Sequence, residues 1–268
     1  MKRHRVNWHE AAVCAMQIEL QDYSHLLSFY PEYVLGQNSY RIDLLIIQKL
    51  LDVPIPKNIA KIFKTYNIFE IKGVGSSVTT DAYYKTNGYA GLLIDSRGKR
   101  NQYTRQNISL SFLSTNYPRK LFHHLTKDCK LMVEKFSSGI YYISNEMYQT
   151  QVLVTGELSP EDNLYLRCLS NKLNNDPITK KLADDLIRNQ NKEIYANYLN
   201  QLAFANTPKK GESDMVCEGL LYMFGTSSEE IEDKATKAAQ DIYIPQINEL
   251  TEQNEYLKSL LSANGIDY

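Results

Sequence analysis

Two runs in the first third of the chain restrict its fold more than any other feature. Residues 40–47 read YRIDLLII and residues 66–73 read YNIFEIKG. Both have the make-up of strands, yet each carries one carboxylate, Asp43 or Glu70, inside an otherwise apolar stretch. Side chains alternate between the two faces of a strand, so Phe69 and Ile71 share one face while Glu70 and Lys72 share the other. YRIDLLII is leucine-rich and β-branched throughout, the pattern of a central strand covered on both sides. An unpaired ionised carboxylate there is expensive, so Asp43 requires a cation, a partner or a raised pKa. Strands in one sheet lie about 4.8 Å apart. If these two runs pair, Asp43 and Glu70 can share one divalent ion, with Lys72 one pleat further along. Two hard oxygen ligands with open positions suit Mg2+, or Mn2+ in its place, rather than zinc.

The rest of the chain supplies elements to surround such a sheet. Residues 10–28 read as a helix, because Val13, Met16, Leu20, Tyr23 and Leu27 step by three and four along one stripe, with Glu19 at its border. EYVLG reads as a strand joined to YRIDLLII by the turn residues QNS, and IAKIFKT as a short helix. After YNIFEIKG comes a helix through SSVTTDAYYKTNGYAGLL, then the strand ISLSFLS. Pro118 opens the helix PRKLFHHLTK, a favoured first-turn position. GIYYIS and YQTQVLVT form a hairpin, and residues 160–200 are helical with a break at NNDP. Residues 206–214, NTPKKGESD, have linker composition, and the remainder is helical.

Composition narrows the class. With 43% hydrophobic and 23% charged residues the chain is of soluble globular type. No stretch approaches the ~18 apolar residues of a membrane helix, and the start, MKRHRV, is not followed by a signal-type apolar segment. A cytoplasmic location is the expectation. The four cysteines are isolated, with no C-x-x-C pair, which fits a reducing compartment and argues against a zinc knuckle. The adjacent His123 and His124 diverge by about 100° in a helix and make a poor metal pair. The net charge of −1 hides an asymmetry: residues 1–210 hold 27 Lys+Arg against 19 Asp+Glu, and residues 211–268 hold 3 against 12. The long basic part either holds a polyanion or has ordinary solvated surface charge.

A metal held by two carboxylates binds a phosphate oxygen and lowers the pKa of a bound water. A neighbouring lysine stabilises negative charge developing on phosphorus. A further acid such as Glu19, presented by the first helix, extends the ligand set. The ordered pieces MQIELQDY, YRIDLLII, IFKTYNIFEIKG, DAYYKTNGYA, YPRKL and QVLVT, across roughly residues 10–165, resemble the PD-(D/E)XK nuclease superfamily. They are most similar to its bacterial group of recombination-promoting nucleases or putative transposases. Arg41 and Ile42 stand where the name leads one to expect a proline before Asp43.

The resemblance implies a restriction-endonuclease-like α/β fold, a mixed β-sheet core flanked by helices, with an α-helical C-terminal extension. It implies Mg2+-dependent DNA cleavage, with Asp43, Glu70 and Glu19 as metal ligands and Lys72 as the catalytic lysine. The organisation then reads as a nuclease-like core over 1–158, a helical extension over 159–205, a linker over 206–214 and an acidic helical tail over 215–268.

Other readings stand beside this one. Glu70 and Lys72 can also be read as a cross-strand ion pair on an exposed face, Asp43 as a cap on a neighbouring backbone group or a partner of Arg41, and Glu19 as one helix-face glutamate among others. Asp81, Tyr84 and Lys85 either touch phosphates or form plain helix surface. A protein that kept the fold and lost activity is one alternative. A dinucleotide-binding protein is another, with GVGSS as the phosphate turn and Asp95, about 20 residues on, as the ribose acid; Val78 at the third glycine position counts against it. In the tail, Ile247, Leu250, Asn254, Leu257 and Leu261 have the a/d spacing of a short coiled coil, which either joins a homodimer through residues 247–261 or packs its stripe on the chain's own core.

Overall fold

The computed structural model describes residues 6–35, 40–50, 53–95, 102–174, 176–189 and 191–206, and a few positions between 240 and 258. Helix α1 (Trp8–Glu19) opens at Asn7, whose side chain accepts from the Glu10 N–H, and buries Ala11, Ala12, Val13, Cys14, Ala15, Met16 and Ile18. It is shorter than its apolar stripe implies. A 3-10 turn, Gln21–Leu26, follows, and Leu27 already belongs to strand β1 (Leu27–Val34), paired with Gln48 of β2 (Arg41–Gln48). The 3-10 turn takes Tyr23 of the stripe out of the helix, and sheet pairing takes Leu27.

Strands β1, β2 and β3 (Tyr66–Ile71) form an antiparallel meander. Helix α2 (Thr80–Asp95) then crosses over, so that β4 (Ile108–Ser114) lies parallel to β3. The short helix α3 (Arg119–His123), with Pro118 at its N-cap, runs into a π-helical turn, His124–Asp128. Strands β5 (Met132–Ser137), β6 (Ile140–Ser144) and β7 (Gln149–Val154) complete a seven-stranded mixed sheet in the order β1-β2-β3-β4-β7-β6-β5. The β6–β7 hairpin agrees with the sequence. The edge strand β5 has no counterpart in the sequence reading, because its exposed Met132 and Phe136 break the alternation of a half-buried strand.

Helices cover both faces. On one, Leu44, Ile46, Phe69, Ile71 and Leu113 pack with α1 and with α4 (Leu164–Arg167), α5 (Pro177–Arg188) and α6 (Glu193–Asn206). On the other, Leu45, Ile68, Leu110, Phe112 and Val152 pack with α2 and α3. Asp176 caps α5 by accepting from the Thr179 N–H, and Pro177 is its first helical residue, which is why the chain breaks at NNDP. Asn206, read as the first linker residue, is the last residue of α6, while 207–214 and most of the tail lie outside the described residues, as do Ile247, Leu257 and Leu261; Leu250 and Asn254 are helical and exposed. No described helix is long and apolar enough to cross a membrane.

Candidate active site

The candidate site forms where β2 and β3 run out of their ladder. The last antiparallel pair there is Leu44↔Phe69, so Asp43 and Glu70 are the next residues on neighbouring strands. Asp43 Oδ2 accepts a hydrogen bond from the Ile71 N–H at 2.7 Å, which ties it to β3. The β1–β2 pairing is distorted opposite it. Register passes from Pro31↔Leu44 to Tyr33↔Ile42, and Glu32 between them has φ 48°. Ile42 then packs with the α2 cluster and Leu44 with the α1 cluster. The strand rolls at Asp43, as irregular pairing does where a side chain is re-aimed.

Glu70 is 1% exposed. Its Oε1 accepts from Lys72 Nζ at 2.6 Å and from Lys85 Nζ at 2.8 Å, while Oε2 accepts from the Thr86 hydroxyl at the long distance of 3.4 Å. Lys72 holds its place because its N–H extends the β3–β4 ladder to the Leu113 carbonyl. Lys85 arrives on α2, which the parallel crossover lays back over the sheet.

Burial pushes the Asp43 pKa up, and the nearby Glu70 charge adds to the shift against the Ile71 hydrogen bond and the charges of His9 and Lys85. Burial pulls Lys85 down, but the hydrogen bond and charge of Glu70 outweigh it and the net shift is upward. Two carboxylates withdrawn from water thus face two ammonium groups.

Asp43 and Glu70 offer hard oxygen donors of the type that divalent cations take. Among the described residues, Asp43 Oδ1 has only the distant His9 Nδ1 at 3.8 Å, and Glu70 Oε2 only the long Thr86 contact, so each acid keeps an oxygen weakly engaged there. His9, Glu32 and Asp43 also bring one ligand atom each within 4.8 Å of one another.

Asp43, Glu70 and Lys72 come together as the sequence implied. Glu19 does not. It closes the C-terminal end of α1, whereas His9, in the first turn, is the residue that approaches Asp43. Ten helical residues span roughly 15 Å. The Glu19 carboxylate accepts instead from Lys57 Nζ at 2.7 Å and from the Tyr165 and Leu166 N–H groups at 2.7 and 3.4 Å. It is the anion at the start of α4 and cannot ligate an ion held by Asp43. His9 is the residue the sequence did not single out for this site, and Lys85, read there as either a phosphate contact or plain helix surface, instead pairs with Glu70. A helix following an E-x-K strand must recross the sheet, which is a signal for Lys85; for His9 the sequence holds none.

The dinucleotide alternative meets a specific obstacle. A β3–α2–β4 unit exists, and Gly75 has φ +82°. Asp95, however, is the last residue of α2, not the end of the next strand, which starts at Ile108. The acid meant for a ribose is therefore on a helix.

No family model, no curated protein and no solved structure matches this chain.

Proposed function

We propose that this protein is a Mg2+-dependent DNA endonuclease, with Mn2+ as a substitute ion, acting in recombination or transposition. We read its fold as restriction-endonuclease-like, and its family as the PD-(D/E)XK superfamily. The observation that carries the reading is the pair Asp43 and Glu70 on adjoining strands, both withdrawn from water, with Lys72 on the same carboxylate. Like charges held this close favour a divalent partner.

Asp43 and Glu70 would hold the ion through their weakly engaged oxygens. When bound, the ion supplies charge neutralisation at the phosphate and a water of lowered pKa. Lys72, freed from Glu70, stabilises the negative charge that grows on the phosphorus oxygens as the water oxygen attacks and the P–O ester bond breaks. Lys85 supplies a second ammonium at the same place. The surplus of basic residues over 1–210 suits a DNA partner. A second copy joined through residues 247–261 would supply a site for each strand of a duplex, and the isolated cysteines fit a cytoplasmic location.

A second reading rests on one observation. Lys72 and Lys85 already neutralise Glu70 at short distances, so the cluster can serve as structural ion pairing in an inactive, DNA-associated or assembly protein. Plasmid cleavage separates the two. The wild type should nick supercoiled DNA with Mg2+ or Mn2+, stop in EDTA, and lose the activity on Asp43→Ala. Cleavage that persists in EDTA, or equal cleavage by the variant, would sink the nuclease reading.

A further inference from the structure

Lys85 turns toward Glu70, but its neighbour Tyr84 meets a different cluster. There α3 passes into the single π-helical turn His124–Asp128, a geometry found preferentially at functional positions. The wider turn lets the Cys129 N–H reach the His124 carbonyl at 3.1 Å. It also folds the Cys129 side chain back over the imidazole, with Sγ 3.4 Å from His124 Nε2. The other ring nitrogen, Nδ1, lies 2.7 Å from Asp128 Oδ2. The Tyr84 hydroxyl is 2.9 Å from Nε2 and 3.4 Å from Sγ.

This is a nucleophile beside a base, with a carboxylate orienting the base, the relation that activates thiols in nucleophilic chemistry. We propose that Cys129 is a reactive thiol, activated by His124, Asp128 and Tyr84, whose reaction partners are hydroperoxides. Asp128 holds the Nδ1 proton, which leaves Nε2 as the basic nitrogen facing sulfur. Proton transfer from Sγ to Nε2 gives a thiolate–imidazolium pair, and the Tyr84 hydroxyl donates to the thiolate. Tyr84 is suited to that part, because its contact with Cys129 raises its pKa and keeps the phenol protonated. The thiolate attacks the terminal oxygen of R–O–O–H. An S–O bond forms, the O–O bond breaks, and sulfur loses the two electrons that the peroxide gains. The departing alkoxide takes the proton from the His124 imidazolium, so the products are a sulfenic acid at Cys129 and R–OH.

The molecule carries its own controls. Cys14 and Cys168 are buried in the α1 cluster on the opposite face of the sheet, and burial pushes both thiols to about 12. A thiol held in its neutral form is a poor nucleophile. Cys129 is only partly buried and is free.

The test is site-resolved mass spectrometry of the native full chain at neutral pH, with iodoacetamide and then with tert-butyl hydroperoxide plus a 1,3-diketone trap. Cys129 should be alkylated at least about ten times faster than the same cysteine in the urea-unfolded chain. His124→Gln should remove that advantage, and the more conservative Asp128→Asn, at an exposed carboxylate, should reduce it severalfold with an unchanged melting temperature. The diketone adduct should form at Cys129 and not at Cys14 or Cys168. Native reactivity no greater than that of the unfolded chain, or equal reactivity in a folded His124→Gln variant, overturns the activation. Fast alkylation without a diketone adduct overturns the hydroperoxide assignment.

Discussion

Glu70 Oε1 is shared by two ammonium groups, and that duplication makes Lys72 removable without loss of the fold. Lys72→Ala leaves Lys85 on the carboxylate at 2.8 Å. The variant should keep its Mg2+ affinity and melting temperature while DNA cleavage slows by about 10²–10³, the usual cost of removing one charge-stabilising donor. If Mg2+ affinity falls as far as in Glu70→Ala, Lys72 is supporting the ligand and not the reaction. Asp43 gives a pH-dependent counterpart. Its folded pKa is raised, so the folded state binds its proton more tightly than the unfolded chain does. Ionised Asp43 therefore costs stability at neutral pH, and the cost fades as pH falls through the raised value toward the ordinary carboxylate range. Asp43→Asn keeps an oxygen for the Ile71 N–H. Without metal, it should melt a few degrees above wild type at pH 7, with the difference closing near pH 4. Equal melting at pH 7 would mean that Asp43 is not held at a cost.

At the scale of elements, Glu19 shows how a residue with a site-like sequence position can serve packing. It ends α1, pairs with Lys57 and receives the first N–H groups of α4, so three segments distant in sequence meet on one buried carboxylate. Burial raises its pKa despite Lys57. Glu19→Ala leaves the Lys57 ammonium and the α4 N–H groups without their acceptor and should cost about 3 kcal/mol in urea unfolding. Its ion binding should match wild type. Loss of ion binding with stability intact would return Glu19 to the site. The π turn and the β1–β2 irregularity belong to this scale too, because each re-aims side chains that regular geometry would separate.

For the whole molecule, the sequence carries most of the sheet and the pairing of strands on which the candidate site stands. Asp43 and Glu70 were legible because a carboxylate in an apolar strand is conspicuous, and Lys72 followed by alternation. The strand β5 is hidden, since an exposed edge lacks alternation, and α1 is shorter than its stripe, whose last residues fall in a 3-10 turn at Tyr23 and in β1 at Leu27. Glu19 was misplaced because helical periodicity gives a face and not a position along the axis; only the tertiary packing of α4 decides which end meets which partner. His9 reached the site by the same packing and left no trace in the spacing. All of these bear on one claim, that the two strand carboxylates form a divalent-ion site and not a closed set of ion pairs. Calorimetric titration of the EDTA-treated protein with Mg2+, wild type beside Asp43→Ala, measures it directly. Saturable ion binding by the wild type that disappears in a folded Asp43→Ala variant is the expected result; no binding by the wild type, or binding that survives the substitution, would contradict it.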